Sequence, residues 1–518
     1  MVRVSGGKYV LNIPGLDHLD SVKLGDYLID KYEVTNREFK KFIDNGGYKR
    51  KEFWKYPFIK NEEMLPWKKA IAKFKDRTGR TGPATWEFGD YLEGEDEYPV
   101  SGVSWFEAAA YAEYVGKSLP TIYHWNVASM TTWASTYIIP LSNFGDKGPA
   151  PVGSHQGMSP WGTYDMVGNI REWCWNLAGT KTERYILGGA WNDLYYMFND
   201  ANALSPFDRS PENGFRCAIY LPENIPPTNT IMPIKLPSRD YTKEKPASDE
   251  IFQIYKRIYA YDKTDLNAEI ESIEEENDWH KEKIFFNAAY GNERMFAYLF
   301  VPKHSNPPYQ TIAYFPGSQV IYESSSKDFG WKLIWQLVKS GRALIYPIYK
   351  GTYERRDGLN SDYADTTNFY RDHVIHWYRD LARSIDYLET RKEIDVNELA
   401  YVGVSWGAEL GALFPAIERR LKVNILWSGG LPLQKSLPEV DIFNFTPRIK
   451  IPTLMLNGRY DHFFPVEKTQ IPLYWLLGTT EKDKRHVIFD TGHGLPTNKA
   501  IREVLDWLDK YLGPVKSS

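Results

Sequence analysis

Three side chains in the C-terminal half of the chain have the types and the order that nucleophilic catalysis requires. Ser405 lies in the pentapeptide GVSWG, a G-x-S-x-G pattern. Serine is a weak nucleophile at its ordinary pKa, so it needs a base and a group that orients the base. Asp461 follows LMLNGRY and His493 follows VIFDTG. We expect Ser405 to attack a carbonyl carbon, His493 to carry the proton, and Asp461 to orient and stabilise the imidazolium.

The oxyanion formed in such an attack needs backbone N–H donors. We assign the first to Trp406, directly after the nucleophile, and the second to Ser318, in the turn YFPGSQ after an earlier strand-like run. Asp490, three residues before the predicted base, remains an alternative orienting carboxylate. His462 and His486 are interpreted as a loop residue and a strand residue.

A nucleophile in this motif must lie at a sharp turn from a strand into a helix. LAYVGV predicts the strand and WGAELGALFPAIE the helix. Residues 373–392 place Trp377, Leu381, Ile385 and Leu388 on one helical face. The alternation of strand-like runs with loops and helices predicts a mostly parallel sheet covered by helices. The other strand-like runs are KIFFNAAY, MFAYLFVP, QTIAYFPG, RALIYPIY, KVNILWSGG, PTLMLNG and RHVIFDTG.

Two further segments of this half are charged. The run AEIESIEEEND, residues 268–278, is interpreted as the solvated acidic face of a helix. The segment 346–373 is aromatic and charged and follows a predicted strand. We expect it to shape the acyl or alcohol pocket at the rim of the site, and a solvated loop is the alternative.

With these motifs, residues 250–518 resemble the α/β-hydrolase superfamily, in the branch of dienelactone hydrolases, acetyl xylan esterases and prolyl-oligopeptidase-type catalytic domains. The block DLARSIDYLETRKEIDVNELAYVGVSWGAELG carries the similarity. Dienelactone hydrolases use a cysteine nucleophile, so Ser405 favours ester chemistry and a small-molecule ester substrate. No β-propeller precedes the segment, which makes an oligopeptidase a poor match.

A proline-rich stretch divides the chain. Residues 221–248 contain six prolines, which remove backbone donors and fix φ, so we expect an extended linker between residues 1–220 and 249–518. Residues 1–220 are rich in Gly, Trp and Tyr and predict short, irregular elements. Two helices are predicted there, TNREFKKFIDN (35–45) and SWFEAAAYAEYVG (104–116), each with a Thr or Ser N-cap.

Several stretches of residues 5–220 resemble the formylglycine-generating enzyme (sulfatase-modifying factor) family. They are DYLIDKYEVTNREFKKFIDNGGY, YPVSGVSWFEAAAYAEYVGKSLPTIYHWNVAS, GTYDMVGNIREW, ILGGAW and NGFRCA. The resemblance implies an α+β, C-type-lectin-like domain followed here by the α/β-hydrolase domain. The family's two copper-binding cysteines lie in an interval that is cysteine-free here, residues 192–213, where Tyr196 and Ala201 fall near their positions. The resemblance therefore implies a non-catalytic domain. It also matches Cys217 to a structural cysteine of the family, whose partner position is Ala112.

The same resemblance implies a structural calcium site in the block DMVGNIRE. Its ligands would be Asp165, Gly168, Ile170 and Glu172, and oxygen ligands with two carboxylates suit Ca²⁺. The alternative is a turn whose polar groups bind one another. A second family site, near Asn143, looks shortened. We expect no cofactor for catalysis.

Composition excludes other classes. The net charge is −4 and the pI about 6.3, so no basic excess points to nucleic acid. No apolar run reaches the roughly 18 residues that cross a bilayer, and the N-terminus has no signal-peptide core. The compartment stays open between cytoplasmic and exported, the latter with a missing N-terminal region. Cys174 and Cys217 are interpreted as reduced buried thiols rather than a disulfide.

These observations favour a serine hydrolase of carboxylic esters, with a degenerate N-terminal domain that contacts the hydrolase domain near its active site. Two alternatives remain. In one, both domains are pseudo-enzymes of a binding or scaffold protein. In the other, the chain is the C-terminal part of a larger bacterial protein with a serine/threonine kinase upstream. No Gly-rich loop or H-R-D motif occurs in this sequence.

Overall fold

The computed structural model forms two compact units, Met1–Ser238 and Arg239–Ser518, which divide within the proline-rich stretch. It describes the chain except for residues 14, 15, 17, 18, 61, 62, 131–136, 146, 180, 181, 194–196, 199, 200, 235–238, 322, 328–331, 360, 462 and 516–518. Within the described ranges, no helix could span a bilayer.

The first unit has short elements, as its composition predicted. Its helices are α1 (Asn36–Asp44), α2 (Trp67–Ile71), α3 (Trp105–Tyr114), α4 (Ile122–Ser129) and α5 (Thr228–Ile231). Its strands are β1 (Val2–Val4), β2 (Gly7–Tyr9), β3 (Val22–Leu24), β4 (Tyr27–Ile29), β5 (Phe58–Lys60), β6 (Glu63–Leu65), β7 (Arg171–Leu177), β8 (Arg184–Leu187), β9 (Asn202–Leu204), β10 (Asn213–Gly214) and β11 (Ala218–Tyr220).

Capping boxes define the two helices that the sequence predicted in this unit. Thr35 accepts from the backbone of Glu38, whose side chain accepts in return, and Ser104 and Glu107 do the same at α3. Both predicted helices are confirmed. The linker prediction is only partly matched, because the proline-rich stretch contains the short helix α5.

A nine-stranded sheet forms the centre of the second unit, in the order β12-β13-β14-β16-β15-β17-β18-β19-β20. The pairings β16-β15, β15-β17, β17-β18, β18-β19 and β19-β20 are parallel. The pairings β12-β13, β13-β14 and β14-β16 are antiparallel. The sheet is therefore mixed. Its strands are β12 (Glu269–Glu275), β13 (Trp279–Asn287), β14 (Arg294–Pro302), β15 (Tyr309–Phe315), β16 (Ala343–Pro347), β17 (Ile394–Val404), β18 (Leu421–Trp427), β19 (Thr453–Gly458) and β20 (Lys484–Phe489).

Helix α8 of this unit (Asn368–Leu388) carries the predicted apolar face. All four of its predicted core residues, from Trp377 to Leu388, are fully buried. It begins five residues earlier than predicted because Thr367 caps it through the N–H of Tyr370. The helices are α6 (Asp249–Ile258), α7 (Lys332–Lys339), α8 (Asn368–Leu388), α9 (Trp406–Leu410), α10 (Ile471–Leu476) and α11 (Thr497–Leu512).

Two sequence predictions in this unit need correction. The acidic run does not form a helix: Glu269–Glu275 is the exposed edge strand β12. Its carboxylates pair across the ladder, Glu271 with Lys283 and Glu274 with Lys281, and such charges protect an open sheet edge. The helix after Ser405 ends at Leu410, because Gly411 packs closely on the sheet and Pro415 cannot continue a helix.

The buried face of α8 predicts a large effect for one truncation. Leu381→Ala removes a fully buried side chain and should lower the free energy of unfolding by about 2–5 kcal/mol. Ile273→Ala, on the exposed edge strand, is the matched control and should change it by less than about 0.5 kcal/mol. Urea unfolding of each variant measures both. Equal stability of the two variants would contradict the assigned helix face.

Candidate active site

The backbone at Ser405 forms the sharp turn that its motif requires. Ser405 has φ 52° and ψ −110°, a conformation that costs a non-glycine residue about 1–3 kcal/mol. Glycine is required on both sides of it. A Cβ on Gly403 would lie 2.2 Å from the carbonyl oxygen of Gly407, and a Cβ on Gly407 would lie 2.3 Å from that of Phe315. The close contacts expose the Ser405 side chain at the end of β17.

A continuous hydrogen-bonded chain joins the three predicted catalytic residues. His493 Nε2 lies 2.9 Å from Ser405 Oγ, and His493 Nδ1 lies 2.9 Å from Asp461 Oδ2. The other oxygen of Asp461 accepts the N–H groups of Phe463 and Phe464, at 2.9 and 3.1 Å. Asp461 is buried, so its carboxylate is fixed by three donors. The structure thus brings together all three residues.

The electrostatics of His493 favour its charged form. Burial lowers the pKa of His493, but the charge and hydrogen bond of Asp461, with the charge of Asp362, raise it above its ordinary value. A base of this kind takes the serine proton readily and is stabilised as an imidazolium.

The two predicted oxyanion donors are carried by segments next to the nucleophile: Trp406 follows it in the chain, and Ser318 follows Gly317. The turn after β15 touches the nucleophile, since a Cβ on Gly317 would lie 3.4 Å from the Cβ of Ser405. Gly407 N–H donates to Pro316 O at 3.0 Å and ties this turn to α9. Among the described residues, no acceptor takes the N–H of Trp406 or of Ser318. These two groups are available to a ligand oxygen.

The alternative residues have other roles. Asp490 is exposed and forms an ion pair with Arg459 at 2.6 Å, so it does not orient His493. His486 lies in β20, where its ring nitrogen is 3.1 Å from Asn457 Oδ1 and burial lowers its pKa to about 4. His462 lies outside the described residues.

The rim segment 346–373 is buried at its start, residues 346–349, whereas many of residues 354–369 are exposed. The Tyr349 ring stacks on Phe315 at 3.9 Å, and Phe315 contacts the Trp406 ring edge to face at 4.9 Å. The Tyr349 hydroxyl donates to Tyr314 O at 3.0 Å. Through Phe315, the first residues of the segment therefore pack against the strand-to-helix turn at Ser405.

Sequence reasoning missed two carboxyl groups near the triad. Asp362, in the rim segment, contacts the Ser318 hydroxyl and its charge acts on His493. Burial raises the pKa of Asp362 to about 6, although these two contacts lower it. Glu409 lies in α9, one turn after Ser405, and is buried. The spacing of four residues from the nucleophile was the available signal for Glu409; Asp362 carried none.

The two carboxylates among the predicted calcium ligands already have hydrogen-bond partners within the first unit. Glu172 accepts two hydrogen bonds from Arg216, at 2.6 and 2.7 Å, and one from the Trp125 indole at 2.8 Å. The guanidinium already neutralises this carboxylate, and both side chains are fully buried. Asp165 accepts the Gly153 N–H at 2.6 Å.

The surrounding groups also bind one another. Asn169 Oδ1 accepts from Asn143 Nδ2 at 3.1 Å and from Ala150 N–H at 2.8 Å. Within the described ranges, no three acidic, His or Cys groups are placed to hold a metal. The geometry of the block that contains Gly168 and Ile170 agrees with the alternative, a turn whose polar groups bind one another.

The interval of the two missing cysteines is described only in part. Tyr196 lies outside the described residues, and Ala201 is buried. Cys174 and Cys217 are buried free thiols, as predicted. Ala112, the expected partner position of Cys217, lies in the same apolar cluster.

Comparison with known proteins gives one family match. Residues 1–221 match the family described as sulfatase-modifying factor enzyme 1-like domain. Hercynine oxygenase from Mycolicibacterium smegmatis is 30% identical over 202 residues, covering 33% of this chain and 44% of that protein. The inactive C-alpha-formylglycine-generating enzyme 2 from Bos taurus is 26% identical over 269 residues, covering 42% and 87%. The serine/threonine-protein kinase pkn1 from Chlamydia caviae is 26% identical over 252 residues, covering 42% and 37%.

The chain thus spans less than half the length of the hercynine oxygenase and of the kinase. Among solved structures, an acetyl xylan esterase from Paenibacillus sp. R4 matches 52% of this chain and 97% of its own, with a TM-score of 0.41 and 17% identity. A dienelactone hydrolase from Klebsiella pneumoniae subsp. pneumoniae matches 45% and 100%, with a TM-score of 0.37 and 19% identity. Both groups are those that the sequence motifs resembled.

The buried ion pair of the first unit gives a prediction about metals and stability. Arg216→Met leaves the buried Glu172 carboxylate without its cationic partner and should lower the free energy of unfolding by about 3–5 kcal/mol. Arg3→Met breaks an exposed pair with Asp26, which solvent screens, and should change the free energy of unfolding far less than Arg216→Met. Chemical denaturation followed by tryptophan fluorescence measures both.

In the same experiment, EDTA or added CaCl₂ should leave the wild-type transition unchanged. A calcium-dependent rise in stability would show that the cluster holds a metal after all. In sequence, residues 1–221 are thus similar to the sulfatase-modifying factor enzyme 1-like domains.

Proposed function

We propose that the unit Arg239–Ser518 is a serine hydrolase that cleaves carboxylic esters through an acyl-enzyme on Ser405. The observation that carries the proposal is the hydrogen-bonded chain from Ser405 through His493 to Asp461, at a strained strand-to-helix turn. Each member has the partner that its role needs.

The acylation step follows from these contacts. His493 Nε2 accepts the proton of Ser405 as Oγ bonds to the ester carbonyl carbon. The carbonyl oxygen becomes an oxyanion beside the N–H groups of Trp406 and Ser318. The tetrahedral intermediate collapses when the imidazolium protonates the leaving alcohol, and the acyl group stays on Ser405.

Deacylation repeats the sequence with water. His493 accepts a proton from a water molecule, whose oxygen bonds to the acyl carbon. The new oxyanion accepts hydrogen bonds from the same two N–H groups. When this second tetrahedral intermediate collapses, His493 returns the proton to Ser405 Oγ and a carboxylic acid is released. Asp461 stabilises the imidazolium in both halves without taking its proton.

The first unit is proposed as a non-catalytic companion. Its interval between the GGAW and GFR motifs lacks the cysteines that the family's copper chemistry uses, and its two cysteines are buried. A pseudo-enzyme reading of the whole chain is the alternative, which the following experiment tests.

Ser405→Ala should reduce hydrolysis of p-nitrophenyl acetate and butyrate by at least about 10⁴-fold, because it removes the hydroxyl that lies 2.9 Å from His493 Nε2. Asp461→Asn should also lose activity, while Asp490→Asn, an exposed carboxylate paired with Arg459, should retain it. Initial rates and labelling of Ser405 by a fluorophosphonate, read by mass spectrometry, provide the measurement. Full activity of Ser405→Ala, or an unlabelled Ser405 in the wild type, would refute the proposal.

The pKa of His493 predicts the acid limb of the pH profile. Only the neutral imidazole accepts the serine proton, so kcat/KM should fall as pH drops through the pKa of His493. Since Asp461 and Asp362 raise that pKa, the midpoint should lie above about 6.5, the ordinary value of histidine. Rates with a neutral ester between pH 4 and 9 test this. A midpoint below the ordinary value would show that burial, rather than Asp461, dominates.

A further inference from the structure

The end of strand β18 binds the backbones of both the nucleophile and the base. Trp427, the last residue of the strand, accepts the N–H of Ser405 at 2.8 Å through its carbonyl oxygen. The next residue, Ser428, donates its hydroxyl to the carbonyl oxygen of His493 at 2.9 Å. Two consecutive residues of one strand end therefore hold two proposed catalytic residues that are 88 positions apart in the chain.

Ser428 has a backbone conformation that serine rarely adopts. Its φ is 58°, in the left-handed region that favours glycine. Strained residues of this kind cluster at functional sites, where the surrounding structure holds them. Ser428 is only 2% exposed, and a buried hydroxyl is unfavourable unless it forms a hydrogen bond. A glycine would relieve the strain but would lose the bond to the His493 carbonyl, and that bond is what the serine contributes here.

The backbone that follows Ser428 is tightly fixed. A Cβ on Gly429 would lie 2.5 Å from the Cβ of Ala408 in α9. The carbonyl oxygen of Gly429 accepts the side-chain amide of Asn457, which is fully buried at the end of β19, at 2.8 Å. Since the nitrogen of this amide donates, its oxygen accepts the Nε2–H of His486 at 3.1 Å. The fold thus sets the direction of the Ser428 hydroxyl through β19 and β20.

The loop that carries His493 is pressed against the end of β19. A Cβ on Gly458 would lie 1.9 Å from the carbonyl oxygen of Gly492, the residue directly before the base. This contact limits the backbone on one side of His493, and the hydroxyl of Ser428 binds the carbonyl on the other side. The backbone is therefore anchored at the residue whose ring must reach Ser405.

We propose that Ser428 is a positioning residue, whose hydroxyl holds the backbone of His493 so that the imidazole stays within hydrogen-bond distance of Ser405. The inference rests on the proposed hydrolase function and adds a residue to its site. The imidazole itself binds Asp461 and Ser405, each at 2.9 Å. A shift of the His493 backbone would lengthen both bonds, and a misplacement of about 1 Å lowers a rate by up to about 10²-fold. Ser428 acts only through His493 and contributes no atom to the reaction.

Three variants separate positioning from a purely structural role. Ser428→Gly should change the midpoint of urea unfolding little, because relief of strain offsets the lost hydrogen bond, while kcat/KM for p-nitrophenyl acetate should fall by about 10–10²-fold. Ser428→Cys, which keeps the shape and a weak S–H donor, should have an intermediate rate. Ser305→Ala is the matched control, because Ser305 is buried and its hydroxyl donates to Gly341 O at 2.7 Å. It should lower the midpoint and leave kcat/KM unchanged.

Full activity of Ser428→Gly would overturn the inference. So would rates that follow the unfolding midpoints across the three variants, because that result would show a structural role only. If the wild type cleaves the ester and its Ser405 is labelled by the fluorophosphonate while Ser428→Gly is fully active, the hydrolase proposal stands and only the role of Ser428 fails.

A spectroscopic measurement decides the case in which no ester is cleaved. The proton that His493 Nδ1 donates to Asp461 should give a low-field ¹H NMR resonance, which is identified by its loss in Asp461→Asn. Ser428→Gly should shift or weaken this resonance, because the imidazole moves relative to the carboxylate, and Ser305→Ala should leave it unchanged. A resonance that is absent from the wild type, or unchanged in Ser428→Gly, would overturn the inference. Thermal unfolding confirms that each variant is compared as folded protein.

Discussion

The strained backbone of Ser405 is the constraint on which the second unit depends. A non-glycine residue with φ 52° is unfavourable on its own, so the surrounding structure must hold it. Ser405 N–H donates to Trp427 O at 2.8 Å, which extends the parallel ladder to the turn itself. Gly403, two residues earlier, is paired with strands on both sides. The sheet therefore provides the energy that keeps the nucleophile in its exposed conformation.

Parallel pairing also explains how distant residues meet. Asp461 follows β19 and His493 follows β20, while the turn with Ser318 follows β15. Because neighbouring parallel strands end at the same edge, three loops converge on Ser405 although His493 is 88 residues away in sequence. The two backbone donors to Asp461 then fix the carboxylate before it meets His493. Preorganisation of this kind lies in the fold rather than in the substrate.

Local patterns were enough to predict most of this arrangement. The strand-like runs, the G-x-S-x-G turn and the order of Ser405, Asp461 and His493 are properties of short segments, and they pointed to the three side chains that the structure joins by hydrogen bonds. The helix predicted for the acidic run was wrong. Its carboxylates pair across strands with Lys281 and Lys283, and a local sequence pattern does not show such long-range pairs.

The positions of Asp362 and Glu409 near the triad were missed for a related reason. Acidic residues in a sequence are ordinarily solvated, and only tertiary neighbours bury them. The course of the rim segment depends on Asp380, which accepts from Lys350 N–H at 2.9 Å and from Arg355 at 2.7 Å. No pattern within 346–373 reveals that partner in α8.

The protein treats its buried carboxylates in two different ways. Glu172 receives a buried guanidinium, and Asp380 receives Arg355 and the Tyr290 hydroxyl at 2.7 Å, so each charge is satisfied within the fold. An unsatisfied buried charge costs several kcal/mol, and an apolar side chain of similar volume would avoid that cost. Glu409 avoids it in another way: its Oε1 has no hydrogen-bond partner among the described residues, and burial raises its pKa well above the ordinary value, which favours the uncharged carboxyl.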